Sequence, residues 1–226
     1  MKIIAISDIH GDLIDNIPQC DVLCIAGDIV PLNMQRNIGQ SCKWIKTKFL
    51  AWCQDLRCDY IILVAGNHDF YFDMHWWDEL AMMKIDSPET IFKNTKIHYL
   101  QDSGIIIDGK SFYGTPWITG LPRWAFNLVD DDEAMSNIPN CDVLITHTPP
   151  RGNVGTVLQD CWNTGSNFGS KNLRTRLEQG GIKYCLSGHI HSGQHKEEII
   201  GEARCYNVSI KDENYTINYI PLILDI

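Results

Sequence analysis

The chain has 226 residues, 44% of them hydrophobic and 21% charged, and its formal net charge at pH 7 is −9. This composition is typical of a soluble globular protein with a full hydrophobic core. Lysines and arginines do not cluster along the chain, so a surface that binds long duplex nucleic acid through its phosphates is not expected. No apolar run approaches the ~18 residues of a membrane-spanning helix, and the N-terminal apolar run is too short for a secretion signal.

Five short apolar runs predict β-strands, and each leads into small residues and polar side chains. They span residues 2–7, 22–26, 60–65, 142–146 and 184–187. Apolar residues are continuous in these runs rather than alternating, which is typical of strands buried on both faces.

Helical segments separate several of these strands. Residues 41–56 place apolar side chains on one face, with Ser41 as the expected N-cap. Residues 73–84 carry Trp76, Trp77 and further apolar side chains at helical spacing. Residues 170–179 predict a shorter helix that ends at two glycines. The alternation of strands and helices predicts an α/β fold, and the length suits one domain over residues 1–226.

Two stretches predict antiparallel pairs within this α/β pattern. Asp108 and Gly109 suit the tight turn of a hairpin between residues 105–107 and 111–113. Residues 204–209 and 215–224 flank a polar turn and are expected to pair with each other. The sheets should therefore be mixed.

Nine cysteines are spread through the sequence. Their number is odd, no two form a Cys-x-x-Cys pair, and several lie inside apolar runs. The pattern favours buried thiols over disulfides or zinc ligands, and it predicts a reducing compartment and thus a cytoplasmic protein.

Polar clusters follow all five predicted strands. Because ligands of α/β sheets bind beyond the carboxyl ends of the strands, these side chains are expected to converge on one site. The candidate ligands are Asp8, His10, Asp28, Asn67, His147, His189 and His191. Seven ligands exceed the needs of one tetrahedral zinc ion and suit two cations that share a carboxylate. Carboxylate, amide oxygen and imidazole together favour two divalent ions, with manganese first and iron, zinc, nickel or cobalt as alternatives.

The order of these motifs resembles the signature of the calcineurin-like metallophosphoesterase superfamily. The matching segments are Asp8-Ile9-His10, Gly27-Asp28, Gly66-Asn67-His68-Asp69, His147 and Gly188-His189-Ile190-His191. The resemblance extends over most of the chain. It implies a four-layer fold in which two mixed β-sheets pack as a sandwich with flanking helices.

The resemblance also implies a role for each motif residue. Asp8, His10 and His191 would hold one metal ion, Asn67, His147 and His189 would hold the other, and Asp28 would bridge them. A hydroxide between the two ions would attack the phosphorus atom. His68 would donate a proton to the leaving alkoxide, and Asp69 would orient His68.

Within the superfamily, the sequence is most similar to the small metallophosphoesterase-domain-containing and cyclic-nucleotide phosphodiesterase-like proteins. The segments around Asp28 and Asn67 lack the arginines with which protein serine/threonine phosphatases bind a phosphate dianion. Some animal members carry glycine where this chain has His189 and lose much activity, so the histidine favours a competent enzyme. The expected activity is hydrolysis of small-molecule or nucleotide phosphodiesters. A broad-specificity phosphomonoesterase and a metal-binding scaffold without turnover are the alternatives.

Two loops are candidates for substrate recognition. Thr115, Trp117 and Arg123 belong to the first, and Arg151 follows His147 closely in the second, which continues to Gly169 with Trp162 and Phe168. The aromatic side chains would stack on a base or an aryl group, or else cover the hydrophobic core. The expected partner is a small phosphate ester, and the sequence does not distinguish a monomer from a homodimer.

Overall fold

The computed structural model describes residues 1–157, 165–193 and 195–226, so the predicted loop residue Trp162 and one cysteine, Cys161, lie outside the described part. The strands are β1 (Lys2–Ile6), β2 (Cys20–Ala26), β3 (Cys58–Val64), β4 (Ile97–Tyr99), β5 (Ser103–Ile107), β6 (Lys110–Thr115), β7 (Ile118–Thr119), β8 (Asn127–Leu128), β9 (Cys141–Thr146), β10 (Ile182–Ser187), β11 (Glu198–Ile200), β12 (Ala203–Asn207) and β13 (Leu222–Asp225). The α-helices are α1 (Ile38–Trp44), α2 (Leu50–Asp55), α3 (Glu79–Lys84), α4 (Pro88–Phe92), α5 (Asp132–Ser136) and α6 (Lys171–Glu178).

Two mixed sheets form the centre of the molecule. The first has the order β13-β1-β2-β3-β4, with β1 to β4 parallel and β13 antiparallel to β1. The second has the order β11-β12-β10-β9-β6-β5, with its four central strands parallel and both edge strands antiparallel. Because parallel strands in each sheet point the same way, the loops after β1, β2, β3, β9 and β10 lie at one edge of the molecule.

The core has three parts, which correspond to the layers of the fold. One apolar cluster lies between the two sheets and includes Ile3 and Ala5 of β1. Ile4 and Ile6 of the same strand point the other way, into the cluster beneath the helical segment 38–55. A third cluster joins the second sheet to α5 and α6. The prediction of two mixed sheets packed as a sandwich with flanking helices is confirmed, and the alternation explains why β1 is apolar throughout.

Several local predictions are confirmed. The hairpin between β5 and β6 turns at Asp108 and Gly109, whose φ angles are 48° and 77°, as a primed turn requires. Ser170 caps α6 by accepting a hydrogen bond from the backbone N–H of Leu173. The eight cysteines in the described part of the chain are free and buried. Within the described part of the chain, no helix is long and apolar enough to cross a membrane.

The predicted C-terminal antiparallel pair is wrong. β12 runs parallel to β10 and antiparallel to β11, whereas β13 crosses to the other sheet and pairs with β1. An isolated antiparallel bridge joins Lys211 to Ile217, but Lys211 belongs to the predicted turn and not to the stretch 204–209. The apolar pattern identified these two stretches as strands, but it contained no information about which sheet each would join. Both sheets have an edge to which a further strand can be added.

Two predicted helices differ from the structure. The first helical segment begins at Ile38, with Asn37 as its N-cap, and passes through a π-helical turn (Ile45–Phe49) between α1 and α2; Ser41 lies inside the helix. The predicted helix over residues 73–84 divides into a short 3₁₀ turn (Met74–Trp76) and α3, with a new N-cap at Asp78. This break leaves Met83 82% exposed.

Candidate metal centre

The loops that follow the strands carry the candidate ligands in an unusual backbone conformation. Asp8, His10, Asp28 and His189 have φ angles of 56°, 44°, 56° and 68°. Left-handed backbone is strained for residues with a side chain, although Asp and His tolerate it better than most. The reversal turns each side chain back towards the cleft directly after its strand ends. Four such residues at one site are typical of a functional centre, because strain of this kind persists only where the surrounding structure imposes it.

The two sheets meet at this cleft. Ser7, directly after β1, forms a parallel bridge with Ser209, which follows β12, and its carbonyl oxygen accepts a hydrogen bond from Ile210 N. Gly188 packs so closely that a Cβ there would overlap Ser7 Oγ and Asp8 Oδ2. The motif after β10 in one sheet therefore lies directly against the motif after β1 in the other.

One group of ligand atoms combines Asp8, His10 and His191, all buried, with their donor atoms within 4.8 Å of one another. His191 Nε2 is 3.4 Å from Asp8 Oδ1 and 3.3 Å from His10 Nε2. The other nitrogen of His191, Nδ1, is 3.0 Å from the carbonyl oxygen of Asp212. That contact fixes the ring so that Nε2 faces the cleft.

A second group adjoins the first through Asp28. Asp28 Oδ2 is 3.4 Å from His147 Nε2 and 3.9 Å from His10 Nε2, so this carboxylate stands between the two groups. His147 Nε2 is 2.9 Å from Asn67 Oδ1, and its ring centroid is 5.0 Å from that of His189. His147 Nδ1 is 2.8 Å from the carbonyl oxygen of Ala26, which orients this ring in the same way as His191.

The charges of the side chains in the cleft follow from their packing. Burial opposes ionisation of Asp8 and Asp28, yet their contacts with His191 and His147 hold the pKa of both carboxyl groups below the usual range. Burial opposes protonation of the two histidines, but these carboxylates raise their pKa to about 9. For His10 and His189, burial prevails and lowers the pKa to about 3. Two ion pairs thus balance the charge, and a bound cation would take the place of their protons.

The donors fit divalent cations. Carboxylate oxygens, one amide oxygen and imidazole nitrogens lie together here, as transition-metal ligands do. Within the described part of the chain, Nδ1 of the buried His10 has no hydrogen-bond partner, whereas its Nε2 faces Asp28 and His191. The clusters Asp8–His10–His191 and Asp8–Asp28–His147 have Asp8 in common, and a third cluster brings Asp28 together with His10 and His68. Overlapping clusters of this kind suit two neighbouring ions rather than one.

Comparison with known proteins decides the family. The model of the calcineurin-like phosphoesterase family matches residues 1–193. The chain belongs to this family. Metallophosphoesterase domain-containing protein 1 of Homo sapiens is 28% identical over 247 residues, which cover the whole chain and 71% of the human protein. A UPF0046 protein of Caenorhabditis elegans is 29% identical over 255 residues, and the chain spans 60% of that protein's length.

Solved structures agree with this fold. A dimetal phosphatase from Danio rerio superposes with a TM-score of 0.51 at 11% identity, covering 96% of this chain and 88% of the other. The phosphopantetheinyl hydrolase of Mycobacterium tuberculosis superposes with a TM-score of 0.56 at 13% identity, covering 95% and 90%. At these identities the likeness concerns the fold alone.

His68 lies at the cleft beside the candidate ligands. Its Nε2 is 3.9 Å from Asp28 Oδ2, and its ring centroid is 4.8 Å from that of His10. Its backbone N–H donates a 2.8 Å hydrogen bond to Asp28 Oδ1. Burial lowers the pKa of the His68 side chain. The ring thus faces the cleft from the side, within reach of a group bound between the metal ligands.

Asp69 has a different position from the one that the resemblance implied. Its carboxylate accepts hydrogen bonds of 2.9 Å from the backbone N–H groups of Ile29, Val30 and Gly66. Burial, together with the charge of Asp28, raises the pKa of this carboxyl to about 7. Asp69 therefore ties the loop after β2 to the loop after β3, and His68 has another partner.

The predicted substrate residues divide into two sets. Thr115 Oγ1 and Trp117 Nε1 each donate a 2.7 Å hydrogen bond to Asp102, so both belong to a structural network around this carboxylate. Arg123 is exposed, and its carbonyl oxygen accepts a hydrogen bond from Arg36. Arg151 lies at the cleft, where it lines a cavity next to His189.

That cavity has a volume of about 580 Å³. Its lining includes His189 and Ile190 together with Arg151, Phe168 and Lys171. The Phe168 side chain is 51% exposed and the Val129 side chain fully so. Asp130 and Asp131 also line it, but Asp131 is buried and accepts hydrogen bonds from Ser170 and Asn172. An organic group of moderate size would fit beside the metal ligands.

Three further residues at the cleft were not identified from the sequence. Gln35 contacts His68, the Trp124 ring centroid is 4.4 Å from that of His68, and the Tyr215 ring lies 5.0 Å from both His10 and His191. Trp124 belongs to the same loop as Trp117 and Arg123. Gln35 and Tyr215 lie in turns outside the motifs, where nothing in the local pattern indicates a site.

Proposed function

We propose that the chain is a binuclear metal-dependent phosphoesterase that hydrolyses small-molecule phosphodiesters, including nucleotides. The observation that carries the proposal is that Asp8, His10, Asp28, His147 and His191 bring their ligand atoms together in overlapping clusters, with Asn67 and His189 beside His147. One ion would be held by Asp8, His10 and His191. The other would be held by Asn67, His147 and His189, and Asp28 would contact both. Bound there, divalent cations supply Lewis acidity and activate water at neutral pH.

The residues of the chain would do the remaining work. His68 faces the cleft through Nε2 and would donate a proton to the leaving alkoxide oxygen as its bond to phosphorus breaks. The buried hydrogen bonds of His147 and His191 to backbone carbonyl oxygens would keep their ligand nitrogens directed inward. The organic group of the ester would occupy the cavity beside His189.

The preference for diesters depends on the same surroundings. A phosphate monoester dianion calls for several cationic donors, whereas a diester carries one charge and a second organic group. Arg151 and Lys171 are the cations that line the described cavity, and Asp130 and Asp131 offset them. Room for an organic group without a net positive lining favours the diester. A broad-specificity phosphomonoesterase is the alternative.

Hydrolysis assays on protein stripped of metal by a chelator test this function. Manganese is expected to restore turnover of bis(para-nitrophenyl) phosphate well above that of para-nitrophenyl phosphate. Asn67→Ala, which removes an amide ligand, and His68→Ala, which removes the proton donor, should each lower turnover about a hundredfold or more. Faster turnover of the monoester would mean that the chain is a phosphomonoesterase and not a phosphodiesterase. Two bound metals without turnover of either ester would favour a metal-binding scaffold.

A variant of the cavity tests where the organic group binds. Phe168→Ala should raise KM for para-nitrophenyl phenyl phosphate about three- to tenfold because an aromatic contact is lost. KM for para-nitrophenyl methyl phosphate should change little, since methyl does not reach Phe168. Ile106→Ala, at an exposed position on β5, serves as the control and should affect neither. Equal effects on both esters would place the organic group elsewhere.

A further inference from the structure

The partner of His68 is not the aspartate next to it in the sequence. The Asp69 carboxylate oxygens are occupied by three backbone N–H groups, and within the described residues no hydrogen bond joins Asp69 to His68. Instead, the side-chain oxygen of Gln35, Oε1, forms a short hydrogen bond with His68 Nδ1. The two ring nitrogens therefore face different surroundings, Nδ1 the amide and Nε2 the metal cleft.

The turn that carries Gln35 is well anchored. Met34 donates its N–H to Pro31 O, and its own carbonyl oxygen accepts hydrogen bonds from Asn37 N and Ser41 Oγ. Ser41 is buried inside the first helical segment. Gln35 is thus attached to the helix on one side and, through Pro31, to the loop after β2 on the other.

Neighbouring aromatic rings complete the enclosure of His68. Arg36, next to Gln35, places its guanidinium 4.4 Å from the Phe70 ring centroid and 4.9 Å from that of Trp124. It also donates a 2.9 Å hydrogen bond to Arg123 O. Trp124 in turn packs against His68. The Gln35 turn and the Trp124 loop are therefore joined by Arg36 around one imidazole ring.

We propose that Gln35 is a positioning residue for His68. Its amide oxygen accepts the Nδ1–H hydrogen bond, which fixes both the orientation of the ring and the tautomer in which Nε2 exchanges the proton. The protonated ring gives its Nε2 proton to the leaving alkoxide oxygen as the P–O bond breaks. After this transfer the ring is neutral, and its Nδ1–H still donates the hydrogen bond to Gln35. The kinetic part of this inference rests on the proposed function, whereas the tautomer does not.

The tautomer can be observed without turnover. Long-range proton–nitrogen NMR correlations should be recorded on the zinc-loaded protein at a pH where the ring is neutral, with His68→Asn to assign its signals. The wild type is expected to show the Nδ1–H form of His68. Gln35→Met, which keeps the length of the side chain but removes the acceptor, should lose this preference, whereas Gln40→Met in α1 should keep it. An Nε2–H form in the wild type, or no change in Gln35→Met, would overturn the proposal.

The kinetic test separates positioning from a general structural effect. Gln35→Met should lower kcat for an alkyl aryl diester with a poor leaving group about 10- to 100-fold. KM and bound metal should be unchanged, and the loss should be smaller for a nitrophenyl ester, whose good leaving group needs little protonation. Gln35→Glu restores an acceptor and should recover part of kcat.

Combining Gln35→Met with His68→Asn gives the decisive comparison. If Gln35 acts through His68, the double variant should be no slower than His68→Asn alone. An equal loss in both backgrounds, or an equal loss for good and poor leaving groups, would contradict the positioning role. If the wild type hydrolyses no ester, the proposed function fails, and the NMR spectra still decide whether Gln35 holds the tautomer.

Discussion

Asp28→Asn is expected to lower diester turnover about a thousandfold, or roughly 4 kcal/mol of transition-state stabilisation, and to reduce bound metal below two ions per chain. Asp28 is buried, and one of its oxygens faces His10, His68 and His147 at 3.4 to 3.9 Å. An asparagine preserves the shape but supplies no negative charge and one weaker ligand oxygen. A ligand shared by two cations needs a negative charge more than a ligand that contacts one cation does.

Metal content by mass spectrometry and turnover after manganese addition measure this effect together. Asp59→Asn is a suitable control, because Asp59 is exposed at the opposite end of β3. It should bind two metals and turn over normally. Thermal unfolding of both variants distinguishes a lost ligand from a lost fold. Two tightly bound metals and wild-type turnover in Asp28→Asn would rule out a bridging role for this carboxylate.

Gly66→Ala is expected to abolish metal binding and turnover although it adds only one methyl group. A Cβ at this position would overlap Asp28 Oδ1 and would lie 2.6 Å from His147 Cε1 and 2.7 Å from the backbone nitrogen of Asp28. The side chains cannot both retreat, because Asp28 and His147 are held by buried hydrogen bonds. Relief requires the loop after β2 to move away from the loop after β3, at a cost of about 1–3 kcal/mol or more in the free energy of unfolding.

Gly39→Ala provides the matched control for this substitution. Gly39 lies in α1, where a new Cβ would have no neighbour closer than 3.7 Å. Alanine is the better helix former by about 1 kcal/mol, so this variant should be at least as stable as the wild type and fully active. Normal metal content in Gly66→Ala would mean that the two loops are more pliable than their packing indicates.

The site shows which features local sequence can and cannot predict. Asp8 and Asp28 each follow a continuous apolar run, so strand ends and their polar residues were evident from hydrophobic pattern alone. The partner of His68 was expected to be the adjacent Asp69, because the resemblance to the superfamily implied that role. In the structure, the chain folds Gln35 back from 33 residues away, and Asp69 instead satisfies backbone groups of two loops.

The sequence by itself determined the strands, the α/β class and the set of metal-type side chains, because burial on both faces and tight turns leave strong local signals. Only the tertiary structure decided the destination of β13, the break before α3 and the contacts around His68. These three features depend on which strand edges and side chains are still without partners once the sheets have formed. The same holds for the left-handed conformation of Asp8 and His189, which the packing of one sheet's loops against the other imposes.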